Sequence, residues 1–353
     1  MRYYLIAGEA SGCLHASDLM RGLRSCDPGC EIRFRRGDAV MGIVEVLAKA
    51  GRVLGNLASC KRDLLAWKPD AVILVDYPGF NLKIARFARA HGFRVFYYIA
   101  PKVWAHGASR VRRLKRDVDV LYCIFPFECD WFRAHGIEPR YFGNPLPAHL
   151  ARAQVRPLGG RRIALLPGSR TAELRFLMPR FAALERLLET DGRFAGFRLV
   201  VAAAPGIPPD DYRAFLPDGS RIEIVPDRAY DVLSGADAAL VSCGTATLEA
   251  ALLGTPQVVC YGFRRLTWMV ARRVVKVPFA SQVNLCLGRE AVPERLQDAA
   301  SPEALFRSLE TVLFDASVRR RMQSDYAELK NLLDGGDAAG RIANDIYAQI
   351  ARV

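Results

Sequence analysis

Residues 71–79 read Ala71-Val72-Ile73-Leu74-Val75-Asp76-Tyr77-Pro78-Gly79. A strand with one wet face would alternate apolar and polar residues. Five apolar residues in a row instead predict a strand buried on both faces, and Pro78 and Gly79 stop it. Working outward, residues 93–99, 120–125 and 140–142 repeat the pattern, while 82–90 and 109–115 carry helical spacing. Strands alternating with helices predict a parallel sheet covered by helices. Each strand runs into breakers: Asp76-Tyr77-Pro78-Gly79, Ala100-Pro101, Pro126 and Gly143-Asn144-Pro145. These lie at the sheet's carboxyl edge, where such sheets bind ligands.

Residues 147–160 interrupt the pattern with Pro and Gly. A second series then begins at Arg162–Leu166 and continues with strands at 199–203, 222–225, 238–241 and 258–261. Its first helix places Leu174, Leu177, Met178, Phe181, Leu184 and Leu188 on one stripe, a core face. From Ser301 the chain reads as helical to its end. The expectation is α/β: two doubly wound, Rossmann-like domains facing a central cleft, with C-terminal helices. The boundaries fall at 1–155, 156–335 and 336–353, the last a helix packing back on the first domain. By fold-level analogy this suits a nucleotide-sugar transferase of the GT-B type.

The chain has 353 residues, 51% hydrophobic and 25% charged, the balance of a globular protein large enough for two cores. No apolar run reaches the roughly 18 residues of a membrane-spanning helix. The apolar run in Met1–Gly8 is too short for a secretory signal and reads as a first core strand of a cytosolic protein. Nine cysteines without a CxxC pair fit neither a disulfide framework nor a zinc site, and His15, His91, His106, His135 and His149 lack ligand spacing. No metal and no cofactor are expected. A net charge of +13 points to an anionic partner. No nucleic-acid-binding module is present, so nucleotide phosphates or acidic lipid are favoured over nucleic acid.

Ordered short segments sharpen this reading: Gly8-Glu9-Ala10-Ser11-Gly12, residues 41–47, Asp76-Tyr77-Pro78-Gly79-Phe80-Asn81, Pro101-Lys102-Val103-Trp104-Ala105, Phe125-Pro126-Phe127-Glu128 and Phe142-Gly143-Asn144-Pro145. The second half adds Leu165-Leu166-Pro167-Gly168-Ser169-Arg170, Gly244-Thr245-Ala246-Thr247-Leu248-Glu249, and Asn284 followed by Gly288-Arg289-Glu290. On these segments, spanning almost the whole chain, the sequence resembles the lipid-A-disaccharide synthase family. The resemblance implies transfer of 2,3-diacylglucosamine from its UDP derivative to 2,3-diacylglucosamine 1-phosphate. Inversion would give a β-1,6 linkage and UDP, at the inner face of the cytoplasmic membrane. It leaves a homodimer open. The sequence departs from the family pattern at Cys13, where Asp is usual, at His106, where Trp is usual, and in 33–41, which is shorter and lacks a glycine-rich loop.

The residues support specific roles. Asp76 follows a wholly apolar strand and is the candidate general base for the acceptor hydroxyl; its ordinary alternative is to cap the following turn or helix. Gly8-Glu9-Ala10-Ser11-Gly12 follows the first strand, and its glycines and N–H groups suit approach to a substrate or phosphate. Arg170 and the helix after it suit the UDP diphosphate, as do Gly244, Thr245 and Ala246. Glu249, one turn in, is the candidate for the ribose hydroxyls, against a role as helix-dipole partner. From the resemblance, Ser11, Gly12, Asn284 and Glu290 join the donor site, and Glu9, Asn81, Trp104 and Asn144 join the acceptor side. Ile43, Val46, Leu47 and Leu54 fall near one helical stripe and are the candidate contacts with an anionic membrane surface, alongside basic clusters at 110–116 and 272–276. Two other readings are carried: a different UDP-sugar enzyme of GT-B type, and an inactive lipid- or nucleotide-binding homologue.

Overall fold

A computed structural model describes residues 1–8, 10–37, 50–104, 110–262, 268 and 277–352. They divide into two compact units, Met1–Ala148 with Leu333–Val353, and His149–Leu332. Each is built on a six-stranded, wholly parallel sheet, the architecture that alternating strands and helices predict.

In the first unit the strands are β1 (Arg2–Ala7), β2 (Glu31–Arg36), β3 (Ala71–Val75), β4 (Arg94–Tyr98), β5 (Val120–Cys123) and β6 (Arg140–Tyr141), ordered β2-β1-β3-β4-β5-β6. The helices are α1 (Ala10–Cys26), α2 (Ala50–Trp67), α3 (Pro78–Ala90), α4 (Val111–Asp117), α5 (Pro126–Ala134) and α6 (Pro145–Arg152). Successive side chains of a strand face opposite ways, so the central strands feed two cores. Tyr4, Ile6, Val72, Leu74, Val95 and Tyr97 pack under α2 to α5. Tyr3, Leu5, Ala71, Ile73, Phe96 and Tyr98 form the other face, with α1 and the C-terminal segment.

β2 is a strand that the sequence pattern does not announce. It reads Glu-Ile-Arg-Phe-Arg-Arg and is mostly exposed, because it lies at the sheet edge, where charged side chains keep other strands from pairing. Residues 147–160, whose Pro and Gly content predicts a linker between the two series, are helical in their first part, where α6 runs to Arg152.

The second unit holds β7 (Arg162–Leu166), β8 (Arg198–Ala203), β9 (Glu223–Pro226), β10 (Ala238–Ser242), β11 (Gln257–Tyr261) and β12 (Glu294–Leu296), ordered β12-β11-β10-β7-β8-β9. Its helices are α7 (Thr171–Glu189), α8 (Pro209–Arg213), α9 (Ala229–Ser234), α10 (Thr245–Leu252), α11 (Gln282–Leu287), α12 (Pro302–Phe314) and α13 (Ala316–Leu333). The stripe read on α7 is buried from Leu174 to Leu188. The chain then returns to the first unit. There α14 (Ala338–Ala351) lies so close to α1 that a Cβ on Gly22 would come within 2.9 Å of the Ala343 Cβ. Asp345 on α14 accepts from the Tyr122 hydroxyl at 2.7 Å and pairs with Arg140. Among the described residues no helix is long and apolar enough to cross a membrane.

Candidate functional site

The carboxyl edge of the first sheet contains an unusual backbone turn. Asp76 and Tyr77 both adopt left-handed conformations, with φ of 46° and 52°, and Ile99 at the end of β4 does the same at 63°. Such residues cost on the order of 1–3 kcal/mol each and persist only where surrounding contacts hold them. Here the contacts are visible. The Asp76 N–H donates to the Tyr98 carbonyl at 3.0 Å. Its own carbonyl accepts from the Tyr97 hydroxyl at 2.6 Å and from Asn81 Nδ2 at 2.7 Å.

Tyr97 is fully buried, and burial together with the nearby Asp76 carboxylate pushes its hydroxyl well above the ordinary phenol range, so it remains a donor. The Tyr77 ring stacks on Phe80 with centroids 5.4 Å apart. It also lies flat against two glycines: a Cβ on Gly8 would come within 2.3 Å of it, and one on Gly37 within 2.6 Å.

Asp76 does not cap α3. The cap position is Tyr77, with no side-chain hydrogen bond, and Pro78 opens the helix. The N-cap of α3 therefore does not account for this carboxylate.

Other acceptor-side candidates separate into different roles. Asn81 is buried and holds the strained turn. Trp104 donates its indole N–H to Glu128 Oε1 at 3.0 Å and packs edge-on against Phe127. Glu128, only 1% exposed, also accepts from the Ile124 and Phe125 N–H groups, at 3.2 and 3.3 Å. Burial pushes its carboxyl up to about 7, against the pull of those donors and of Lys102. Asn144 uses its amide at home: Nδ2 donates to the Ile124 carbonyl and Oδ1 accepts from the Leu146 N–H. It shapes the turn into α6. Ser11 and Gly12 fall in the first turn of α1, and Cys13 packs against the apolar core beside that helix. Glu9, His106 and the stripe residues Ile43, Val46 and Leu47 lie outside the described residues, as does the basic cluster at 272–276. Leu54, on α2, is 60% exposed.

In the second unit, Arg170 precedes α7 with its side chain 47% exposed, its Nη1 3.2 Å from Glu173 Oε1. Glu173 fills the loop before the helix: Oε2 accepts from the Ser169 N–H at 3.0 Å, and a Cβ on Gly168 would collide with the same carboxylate. Arg170 thus offers this turn a half-exposed cation, held at one edge by a buried acid. Gly244 precedes α10, Thr245 is exposed and Ala246 half-buried, while the Thr247 hydroxyl is already donating to the Gly244 carbonyl at 2.8 Å. Glu249 accepts from the Tyr230 hydroxyl at 3.2 Å, and burial pushes its carboxyl above the ordinary range. Asn284 is 0% exposed and its amide is fully engaged: Nδ2 donates to the Val292 carbonyl and Glu294, and Oδ1 accepts from the Ala291 and Val292 N–H groups. It clamps the loop that carries Glu290, which is itself exposed.

Sequence reasoning gave no role to Tyr97, Glu128, Glu173 or Tyr230. In Phe125-Pro126-Phe127-Glu128 the signal that could find Glu128 is its spacing, since an acid three residues after a helix entry is a cap signature. Among the described residues no cluster of His, Cys, Asp or Glu is placed to hold a metal ion.

Comparison with known proteins adds three findings. A family model described as lipid-A-disaccharide synthetase matches residues 33–336. The lipid-A-disaccharide synthase of Myxococcus xanthus is 37% identical over 371 residues, covering 98% of this chain and 96% of that protein, and that of Geobacter sulfurreducens is 32% identical, covering 99% and 98%. A crystal structure described as a putative UDP-N-acetylglucosamine 2-epimerase from Listeria monocytogenes superposes with a TM-score of 0.67 at 15% identity, covering 100% of this chain and 97% of that one. The glycotransferase of kitacinnamycin gives 0.57 at 17% identity, covering 99% of each. At such low identities the solved structures speak for the fold alone, which is GT-B-like.

Proposed function

The chain belongs to the lipid-A-disaccharide synthase family, and from that premise we propose that Asp76 is the general base of the sugar transfer. The protein is a glycosyltransferase of lipid A biosynthesis that uses a UDP-sugar donor and a sugar acceptor. The finer reading assigns UDP-2,3-diacylglucosamine as donor and 2,3-diacylglucosamine 1-phosphate as acceptor. In a single displacement the acceptor hydroxyl attacks the anomeric carbon as its proton passes to the Asp76 carboxylate. The bond from that carbon to the diphosphate oxygen breaks, its electron pair leaves with UDP, and an α-linked donor becomes a β-linked product.

The observation that carries this reading is the strained turn at the end of β3. Tyr97 and Asn81, both buried, hold the Asp76 carbonyl in a conformation that a carboxylate serving only as a cap would not need. Arg170 and the N-terminus of α10 supply positive charge for the departing diphosphate. Glu249 accepts the ribose hydroxyls. Asn144 shapes the turn into α6 in the first unit, and Asn284 clamps the loop carrying Glu290 in the second.

The acyl chains of both substrates reside in a bilayer, so the protein works at the inner face of the cytoplasmic membrane as a peripheral protein. Exposed Leu54 and the exposed Arg112, Arg113, Lys115 and Arg116 of α4 support this.

Incubation with both substrates followed by mass analysis should detect the disaccharide 1-phosphate. Asp76→Asn should keep UDP affinity and lose about 10²-fold or more in turnover, because an amide does not take up the proton. Near-normal turnover in that variant removes Asp76 as the base.

A further inference from the structure

Arg33 and Arg35 both lie on β2 and face the same way, since their register partners on β1 are Tyr4 and Ile6. Arg33 is fully engaged: it pairs with Asp63 at 2.5 Å and lies 4.8 Å over the Trp67 ring. Arg35 differs. Its guanidinium hydrogen-bonds the Tyr4 hydroxyl and reaches the Asn56 carbonyl at a long 3.4 Å, and no carboxylate among the described residues pairs with it directly. Yet it is half-buried, in a recess whose walls include Ile6, Gly37, Asn56, Tyr77 and Phe80. A half-buried guanidinium with no directly paired carboxylate among the described residues gains from an anion that enters the recess.

The recess adjoins the proposed base. Tyr77 is the residue after Asp76, about 3.8 Å away along the chain, and the glycines that receive its ring, Gly8 and Gly37, end the two neighbouring strands. The acceptor must present its reacting 6-hydroxyl to Asp76 while its phosphate sits on C1, separated from C5 only by the ring oxygen, and so lies within a few bonds' reach of the same place. A planar, forked cation suits the oxygens of a phosphate monoester. We propose that Arg35 binds the 1-phosphate of the acceptor sugar, an assignment that rests on Asp76 being the base.

The test compares acceptors that differ only in the phosphate. Wild type, Arg35→Gln and Arg35→Lys are assayed with 2,3-diacylglucosamine 1-phosphate and with the same sugar lacking phosphate, at saturating UDP donor. Wild type should prefer the phosphorylated acceptor. Arg35→Gln should raise its KM about 10- to 100-fold, leave the donor KM unchanged and lose most of the preference. Arg35→Lys should recover part of it. Arg36 also borders the recess, but its register partner Ala7 puts its side chain on the opposite face, so Arg36→Gln should retain the preference.

A raised donor KM with an unchanged acceptor KM overturns the proposal by placing Arg35 at the diphosphate. Full retention of the preference by a folded Arg35→Gln overturns it outright. If that variant is unfolded by circular dichroism, the lysine variant decides: a folded Arg35→Lys with a raised KM for the phosphorylated acceptor and a reduced preference supports the proposal, and a folded Arg35→Lys with wild-type KM and preference for both acceptors overturns it. Failure of the base assignment reads out separately, as normal turnover in Asp76→Asn.

Discussion

Replacing Glu128 by Gln tests whether a buried acid sets the pH response of the first unit. In the native protein burial moves its midpoint from the ordinary 4.5 to about 7. The folded state therefore holds this proton more tightly than the unfolded chain does. The sign follows: the contribution to stability is full below about pH 4.5, shrinks as pH rises through about 7, and is gone above it. A displacement of that size corresponds to about 3 kcal/mol across the window, to order of magnitude. Glutamine carries no titrating proton, so its curve should lose this slope. It should also be less stable at pH 5, because an amide nitrogen facing the Ile124 and Phe125 N–H groups cannot accept from them, a loss of about 1–3 kcal/mol.

Urea unfolding at a series of pH values, followed by tryptophan fluorescence, is the assay. Of the four tryptophans, Trp67, Trp104 and Trp131 lie in the first unit and Trp104 touches Glu128 itself. The gap between wild type and Glu128→Gln should narrow by about 3 kcal/mol between pH 5 and pH 8. Parallel curves for the two proteins would refute the reasoning and assign the slope to another group.

Arg170→Ala should weaken UDP binding about 10-fold or more by calorimetry, since a guanidinium–phosphate contact is lost; unchanged affinity would show that Arg170 points elsewhere. Tyr97→Phe removes the 2.6 Å hydrogen bond to the Asp76 carbonyl and should cost about 1 kcal/mol in stability while lowering kcat with UDP affinity intact. A wild-type kcat would mean that Asn81 alone holds the turn. Gly143→Ala should lower the thermal midpoint clearly, because Gly143 has a φ of +102° and a Cβ there would come within 2.3 Å of the Gly335 Cα, a clash with backbone on top of an unfavourable conformation. A midpoint within a degree or two of wild type would contradict it.

Most of the sheet architecture was legible because the interior strands of a parallel sheet are buried on both faces and so read as continuous apolar runs, as Ala71–Val75 and Ala238–Ser242 do. The breakers after them marked the carboxyl edge without any coordinates. β2 and β12 were not legible, since an edge strand need not be apolar and the charged Glu-Ile-Arg-Phe-Arg-Arg looks like surface. Family membership followed from ordered short segments. The chemistry inside those segments did not. Asn144 and Asn284 carry polar side chains at motif positions, but only packing shows that their amides are consumed by neighbouring backbone. Asp76 was recognisable from its place after an apolar strand; its left-handed backbone depends on Tyr97, 21 residues away, and on Asn81. Glu128 is an ordinary acid in sequence, and burial, outweighing three hydrogen-bond donors, moves its midpoint up to about 7. Local sequence determines where a strand begins and stops because the relevant forces act between near neighbours. The protonation, strain and counter-charge of a side chain depend on groups that only the tertiary fold brings within reach.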